Sequence, residues 1–374
     1  MTSGRTAEAE RQEWIDDLDR FAELREPWNR LAGGSPFLTW EWLDAWWRCF
    51  GTGDPQVFAA WEGEELVAGL TCGLRKKHLR AMADMNTDLF GPVVRSRSDL
   101  RRIVDAILAG PWSRATLPSL PLGEPFIEEL IAALKSKGWL THHPSRLIES
   151  PIVATGDSFE NYCRDVLSTN ARRQVGKAHR RLEREGEVEL RVFDEPDDLE
   201  PVLAECFALE SAGHKGLWKS DTLSSEALTR FLELVFDRFQ ERGAVRVSEL
   251  RLDGALLAFD LSLIHGRVFY AIKTSYDEDY SYYAPGHILR LAVIEACFER
   301  ELDSHEFLYP VSRWKARYMT EVRTTTTLRA YRRRPGPLIR YATRRWVMPA
   351  LIPLRVRLRE GLRRFRQNRP RFEP

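Results

Sequence analysis

The residues best placed to do chemistry lie between Ala271 and Leu289, in the stretch Ala271-Ile-Lys-Thr-Ser-Tyr-Asp-Glu-Asp-Tyr-Ser-Tyr-Tyr-Ala-Pro-Gly-His-Ile-Leu289. A predicted strand ends there in a polar, aromatic loop, which passes through Pro285-Gly286 into a predicted helix from Ile288 to Arg300. A glycine turn at a helix start leaves several backbone N–H groups unpaired. Together with the positive end of the helix dipole they suit a pyrophosphate. Acyl-coenzyme A carries that group, so Pro285, Gly286, His287, Ile288 and Leu289 are candidate cofactor contacts. Acyl transfer from a thioester needs an oriented carbonyl, a base for the acceptor's proton, and an acid or cation near the leaving thiolate. Lys273, at the end of the apolar strand, can meet a phosphate or a developing oxyanion. Tyr276 can donate a proton to the thiolate. Asp277 can act as a base or hold Lys273, and it can equally cap a turn, as Asp does routinely. Tyr280, Tyr282 and Tyr283 can line a sugar or adenine site or simply pack.

Three segments carry a resemblance to a known family. Lys273-Thr-Ser-Tyr-Asp-Glu278 with Ala284-Pro-Gly-His-Ile-Leu289 resembles the "KTAYDE…SPG…L" stretch of the CelD-type GNAT-like acyltransferases, which are associated with cellulose and exopolysaccharide biosynthesis. Leu209-Glu-Ser-Ala-Gly-His-Lys-Gly216 resembles that family's "LEASGWKG", with His214 in place of the usual Trp. The basic run Asn170-Ala-Arg-Arg-Gln-Val-Gly-Lys-Ala-His-Arg-Arg-Leu-Glu183 completes the order over roughly residues 160 to 320.

The resemblance implies acyl transfer from acetyl-CoA or another acyl-CoA to an amine or hydroxyl, on a sugar or polysaccharide precursor. It places Glu210, His214 and Lys215 in the acceptor site. Glu210 is then one candidate general base. His214 competes with it, because its pKa lies near neutrality. It also implies that Arg172, Arg173 and Lys177 of the basic run contact an anionic acceptor, although such a run is usually a solvated face. Trp314-Lys315 loosely fits the aromatic-Lys pattern of the Fem-type aminoacyl transferases, which makes both residues candidate substrate contacts. No cysteine or serine stands in a recognisable nucleophile setting, so direct attack on the thioester is expected.

Composition bounds the alternatives. The 374 residues are enough for two ordinary domains, and 43% hydrophobic with 30% charged residues is the balance of a soluble globular protein. The five cysteines are scattered without metal-ligand spacing, which reads as reduced, buried thiols in a cytoplasmic protein with no metal. G-x-S-x-G, P-loop and complete dinucleotide patterns are absent. From Leu328 onward, 15 arginines against Glu360 and Glu373 give +13. That leaves −12 for the rest of a chain whose net charge is +1. The helical periodicity of Leu338 to Met348 and of Leu354 to Arg366 makes this an amphipathic basic tail suited to an anionic membrane surface, peripheral to the inner face. Nucleic acid enters only as the tRNA of a Fem-type alternative.

The elements that must position these residues repeat. A helix from Glu13 to Arg25, stopped by Pro27, and an aromatic helix within Phe37 to Phe50 precede a hairpin, Val57 to Leu74. Val245 to His265 forms a second hairpin, turned at Asp253-Gly254 and followed by a strand from Val268 to Lys273. Each hairpin is followed by a loop and a helix, Leu100 to Leu108 and Ile288 to Arg300. The expected fold is therefore α/β (α+β), with two tandem GNAT-like domains of mixed, mostly antiparallel sheets flanked by helices. A degenerate first domain spans 1–150, the donor-binding domain 151–330 and the basic helical tail 331–374, with the join near Pro144 to Asp157. Two other readings stand beside the acyltransferase: Fem-type transfer from an aminoacyl-tRNA, and a non-catalytic scaffold of a polysaccharide machine.

Overall fold

The computed structural model describes residues 10–142, 147–212 and 226–347. Its first half runs β1 (Glu10–Ile15), α1 (Leu18–Glu23), α2 (Arg25–Ala32), α3 (Trp40–Phe50), β2 (Asp54–Glu62), β3 (Glu65–Arg75), β4 (His78–Ala81), β5 (Val93–Val94), α4 (Leu100–Ala109), β6 (Arg114–Pro121), α5 (Pro125–Ser136) and β7 (Leu140–His142). The second runs β8 (Ile148–Ala154), α6 (Phe159–Asp165), α7 (Thr169–Leu182), β9 (Val188–Asp194), α8 (Leu199–Ala212), α9 (Glu226–Gln240), β10 (Val245–Leu252), β11 (Ala255–His265), β12 (Val268–Tyr276), α10 (Pro285–Glu299), β13 (Ser304–Glu306), β14 (Glu321–Tyr331) and α11 (Pro335–Ala342).

The fold is mixed α/β, with helices flanking one large, mostly antiparallel sheet. Its order is β1-β2-β3-β4-β6-β14-β8-β13-β12-β11-β10-β9, with β5 on β3 and β7 on β14. The order reads alike from both ends. β1 to β4 and β9 to β12 are antiparallel meanders, and the chain then passes through a helix to a parallel neighbour, β6 beside β4 and β13 beside β12. At the centre the halves exchange partners. β14, late in the chain, pairs with β6, and β8 pairs with both β13 and β14. The stretch expected as a join therefore carries a central strand, and a division at residue 150 falls inside β8.

Two local expectations change. The segment around Glu13 is a strand followed by two short helices, because the Asp17 carboxylate accepts from Asp19 N–H and starts α1 there. Pro27 lies in the first turn of α2, where a missing N–H costs little, so it does not stop a helix. The tryptophans of α3 are mainly core: Trp42 and Trp46 are buried against Phe37, Phe231 and Phe50, with Trp42 and Phe37 rings in edge contact at 4.7 Å. In the second half, α8 and α9 cover one sheet face with Tyr270, while α7 and α10 cover the other with Phe269 and Ala271.

Candidate active site

The site is built on the end of β12. Side chains alternate there until the register slips between Leu261 and Ser262 of β11, leaving Ile272 as an extra residue on β12. The bulge turns Lys273 to the α8 side, where its Nζ lies 2.6 Å from Glu210 Oε1. Glu210 comes from the last turns of α8 and its side chain is 2% exposed. The structure thus pairs two predicted residues 63 positions apart in sequence. A buried carboxylate demands such a partner, since removing a charge from water without compensation is costly.

On its other edge, β12 pairs with β13 only from Val268 to Tyr270. From Ala271 to Tyr276 that edge has no strand partner among the described residues. A cavity fills the opening, lined by Thr274, Ser275, Tyr276, Gly286, His287, Arg290 and Trp314. An open edge presents backbone N–H and C=O groups at strand spacing, which suits a ligand that carries amides.

The start of α10 closes this cavity. Ala284 caps the helix in the left-handed region (φ 49°, ψ 46°), and its carbonyl accepts from both His287 N–H (2.9 Å) and Ile288 N–H (3.2 Å). Pro285 has no N–H. The several free donors expected here therefore reduce, among the described residues, to that of Gly286, because a tight first turn consumes the others. A side chain at Gly286 would crowd Tyr276, whose Cδ1 lies 3.2 Å from where a Cβ would sit. Ile288 and Leu289 are buried in the core, and Leu289 alone of the two also lines the cavity.

His287 turns this corner. Its Nδ1 lies 2.8 Å from the Tyr318 hydroxyl, and the Tyr318 carbonyl accepts from Tyr162 O–H at 2.8 Å. Burial, then the nearby Arg317 and Arg290, lower the His287 pKa, so the ring is neutral near pH 7. Burial pushes the Tyr318 phenol up to about 12. Beyond His287 lies a second cavity that shares Ala284 and His287 with the first and is lined by Arg172, Arg181 and Arg317. Arg181 stacks over the Tyr282 ring at 4.1 Å and donates to the Tyr282 carbonyl at 3.1 Å.

The remaining predicted residues separate. Trp314 lines the first cavity and Arg172 the second. Arg173 and Lys177, on the same helix as Arg172, are exposed and line neither cavity, as expected of the outer face of an amphipathic helix. Asp277 accepts from Asp279 N–H at 3.0 Å and caps the 3₁₀ turn Glu278–Tyr283, the turn chemistry open to it in the sequence. Lys315 donates to the Phe307 and Leu308 carbonyls, both at 2.8 Å, and anchors the loop that carries Trp314. His214 and Lys215 lie outside the described residues.

Sequence reasoning missed two buried clusters. Behind the first cavity, Arg290 of α10 pairs with Asp260 of β11 at 2.5 Å and meets His305 Nε2 at 2.8 Å, all three fully buried. At the centre of the sheet, Arg323 of β14 joins Glu306 of β13 and Asp88 of the first half, and Asp88 also accepts from Ser150 Oγ (2.8 Å) and Tyr309 N–H (2.7 Å). Burial raises the Glu306 pKa against the pull of Arg323. For the first cluster the signal in the sequence was a lone charge inside an apolar run, Asp260 in Leu256 to Leu263, whereas Arg323 stands among threonines. Among the described residues no group of three or more His, Cys, Asp or Glu side chains is arranged to hold a metal.

The fold has known counterparts. Residues 169–316 match the family described as "Acetyltransferase (GNAT) domain". The matched segment holds α7, the Lys273–Glu210 pair, the first cavity, most of the lining of the second and the start of α10, while Arg317 lies one residue beyond it. Three solved structures share the fold. The C-terminal domain of a putative lysylphosphatidylglycerol synthetase from Agrobacterium fabrum is 15% identical, covering 85% of this chain and 94% of that one at a TM-score of 0.54. FemX is 10% identical, with coverage of 84% and 96% and a TM-score of 0.54. A conserved protein of unknown function from Bacteroides thetaiotaomicron is 11% identical, with coverage of 86% and 100% and a TM-score of 0.52. At these identities the likeness is one of fold. No curated protein matches the chain.

Proposed function

We propose that the protein is an acyl-CoA-dependent acyltransferase, with acetyl-CoA as the first donor to test. Its acceptor is an amine or hydroxyl on a sugar or polysaccharide precursor. The observation that carries this reading is the meeting of two cavities at the start of α10. One follows the open edge of β12, which suits the amide-bearing arm of the donor. The other brings three arginines to within reach of the same corner, which suits its phosphates. The acceptor class rests on the CelD-type resemblance of the Lys273 to Leu289 stretch.

In this reading the thioester carbonyl lies against the β12 edge and the acceptor attacks it directly. Glu210, held by Lys273, takes the acceptor's proton. The C–S bond breaks as the new C–N or C–O bond forms, and the departing thiolate takes a proton from Tyr276. Calorimetric titration with acetyl-CoA tests the donor, run beside a Gly286→Trp variant that fills the helix start. Binding that the variant loses supports the reading. Failure of the folded wild type to bind acetyl-CoA or longer acyl-CoAs overturns it and turns attention to an aminoacyl-tRNA donor or to a scaffold.

A further inference from the structure

Where β14 and α11 meet the first half, the protein carries a basic face that the acyl-transfer reading does not use. Strand alternation sorts the residues where β4, β6 and β14 run side by side. Leu79, Ala115, Leu117, Leu328 and Ala330 enter the core. Their neighbours His78, Arg80, Arg114, Thr116 and Arg329 therefore share the opposite face, with His78 in register with Arg114, and Thr116 with both Arg80 and Arg329. A cavity opens on this face between Arg80, Arg114 and His78 and the aromatic wall of Trp46 and Trp47, with Asp84 as the acid on its rim. Arg340 and Arg344, from α11 and the turn after it, approach the same place and act electrostatically on His78 and Arg114.

Arg102, Arg251 and Arg323 each pair with carboxylates, yet among the described residues Arg80, Arg114, Arg329, Arg340 and Arg344 form no ion pair. Their mutual repulsion is visible in the groups between them. Burial, then Arg114, Arg80, Arg340 and Arg344, lower His78 to about 4, and burial with neighbouring arginines lowers Arg114 and Arg329. A cluster that repels itself is compensated when an anion arrives.

The edge of the face is apolar. Ile339 is 68% exposed and Trp346 is 64% exposed, and both lie on the segment that carries Arg340 and Arg344. Exposed aliphatic and indole groups interleaved with arginines suit a phase that takes both, with phosphates outside and acyl chains beneath. No helix among the described residues is long and apolar enough to cross a membrane. We propose that this face docks the protein on an anionic phospholipid bilayer. Headgroup phosphates meet Arg80, Arg114, Arg329, Arg340 and Arg344, and Ile339 and Trp346 enter the interface. The inference is independent of the donor's identity.

Sedimentation of the full chain with vesicles tests it, using phosphatidylcholine alone or mixed with about one third phosphatidylglycerol. The protein is expected to pellet with the anionic vesicles only, and less so as salt rises. Arg340→Glu combined with Arg344→Glu should weaken that partition about tenfold or more, and Trp346→Ser a few-fold, with unchanged melting because all three side chains are exposed. Equal partition to neutral vesicles, wild-type partition by the double arginine variant, or retention of a polyribonucleotide while both vesicles are ignored would each overturn the proposal.

Discussion

The helices α4 and α10 occupy matching places in the two halves, each leading from a meander to a parallel strand, and their caps differ in charge. At α4 the cap is Asp99, whose buried carboxylate accepts from Ser96 Oγ at 2.6 Å and lies 3.6 Å from both Arg95 and Arg102. The protein itself supplies the anion there. At α10 the cap is Ala284, Gly286 brings the backbone to the cavity surface, and three arginines line the space beyond. One helix start carries a carboxylate of its own, held by Ser96 and two arginines, and the other carries none. Under the proposed function, the helix start without an acid is the one that receives the donor's phosphates.

The sharpest test of this asymmetry asks whether chemistry belongs to the second half alone. Glu210→Gln keeps the shape and removes the proposed base, so kcat should fall about 10²- to 10⁴-fold while the affinity for acetyl-CoA holds. Loss of donor affinity in place of turnover would make Glu210 a structural partner of Lys273. Gly286→Asp places an acid in the first turn of α10. Titration should find acetyl-CoA binding weakened about 100-fold, through repulsion at the helix start and crowding of Tyr276. Unchanged affinity would move the phosphates elsewhere.

Asp99→Ala is the reciprocal change. It should leave donor binding alone and lower unfolding stability by about 1–3 kcal/mol in denaturant titration, since Arg95 and Arg102 lose a buried partner. Arg172→Ala should weaken acetyl-CoA only about 3- to 10-fold and flatten the salt dependence of its affinity. A smaller effect concerns His78 in the first half. Its folded pKa of about 4 lies below the ordinary 6.5, so the unfolded chain binds the proton first as pH falls. The stabilisation is present above pH 6.5 and is lost progressively down to about pH 4. Thermal melts of His78→Gln should be less steep across that window than wild type. Anionic vesicles should shallow the wild-type slope as well, by favouring the charged ring.

Much of the fold was legible because its signals are local. Alternation with Asp253-Gly254 marks the second hairpin, and Pro285-Gly286 marks the start of α10. The Lys273–Glu210 pair was reachable through resemblance, although nothing local joins a strand end to a helix so far upstream. Asp277 was ambiguous for a physical reason: the same carboxylate that serves as a base also caps turns, and the sequence alone does not show the contact it makes with Asp279 N–H. Arg173 and Lys177 were indistinguishable from Arg172 in sequence, because the facing of a basic helix depends on what packs against it.

What the sequence determined by itself is the set of repeated elements, the turn that starts α10, and the residue types that can handle a thioester and a phosphate. Those follow from periodicity, backbone conformational preference and side-chain chemistry, all of which act over a few residues. The tertiary structure alone decided that β8 and β14 exchange places to make one sheet, that the Ala284 carbonyl leaves Gly286 as the free donor, and that Asp260, Arg290, His305 and Tyr318 surround the site. These are choices among partners distant in the chain, settled when burial forces each charge and each N–H to find the one group within reach.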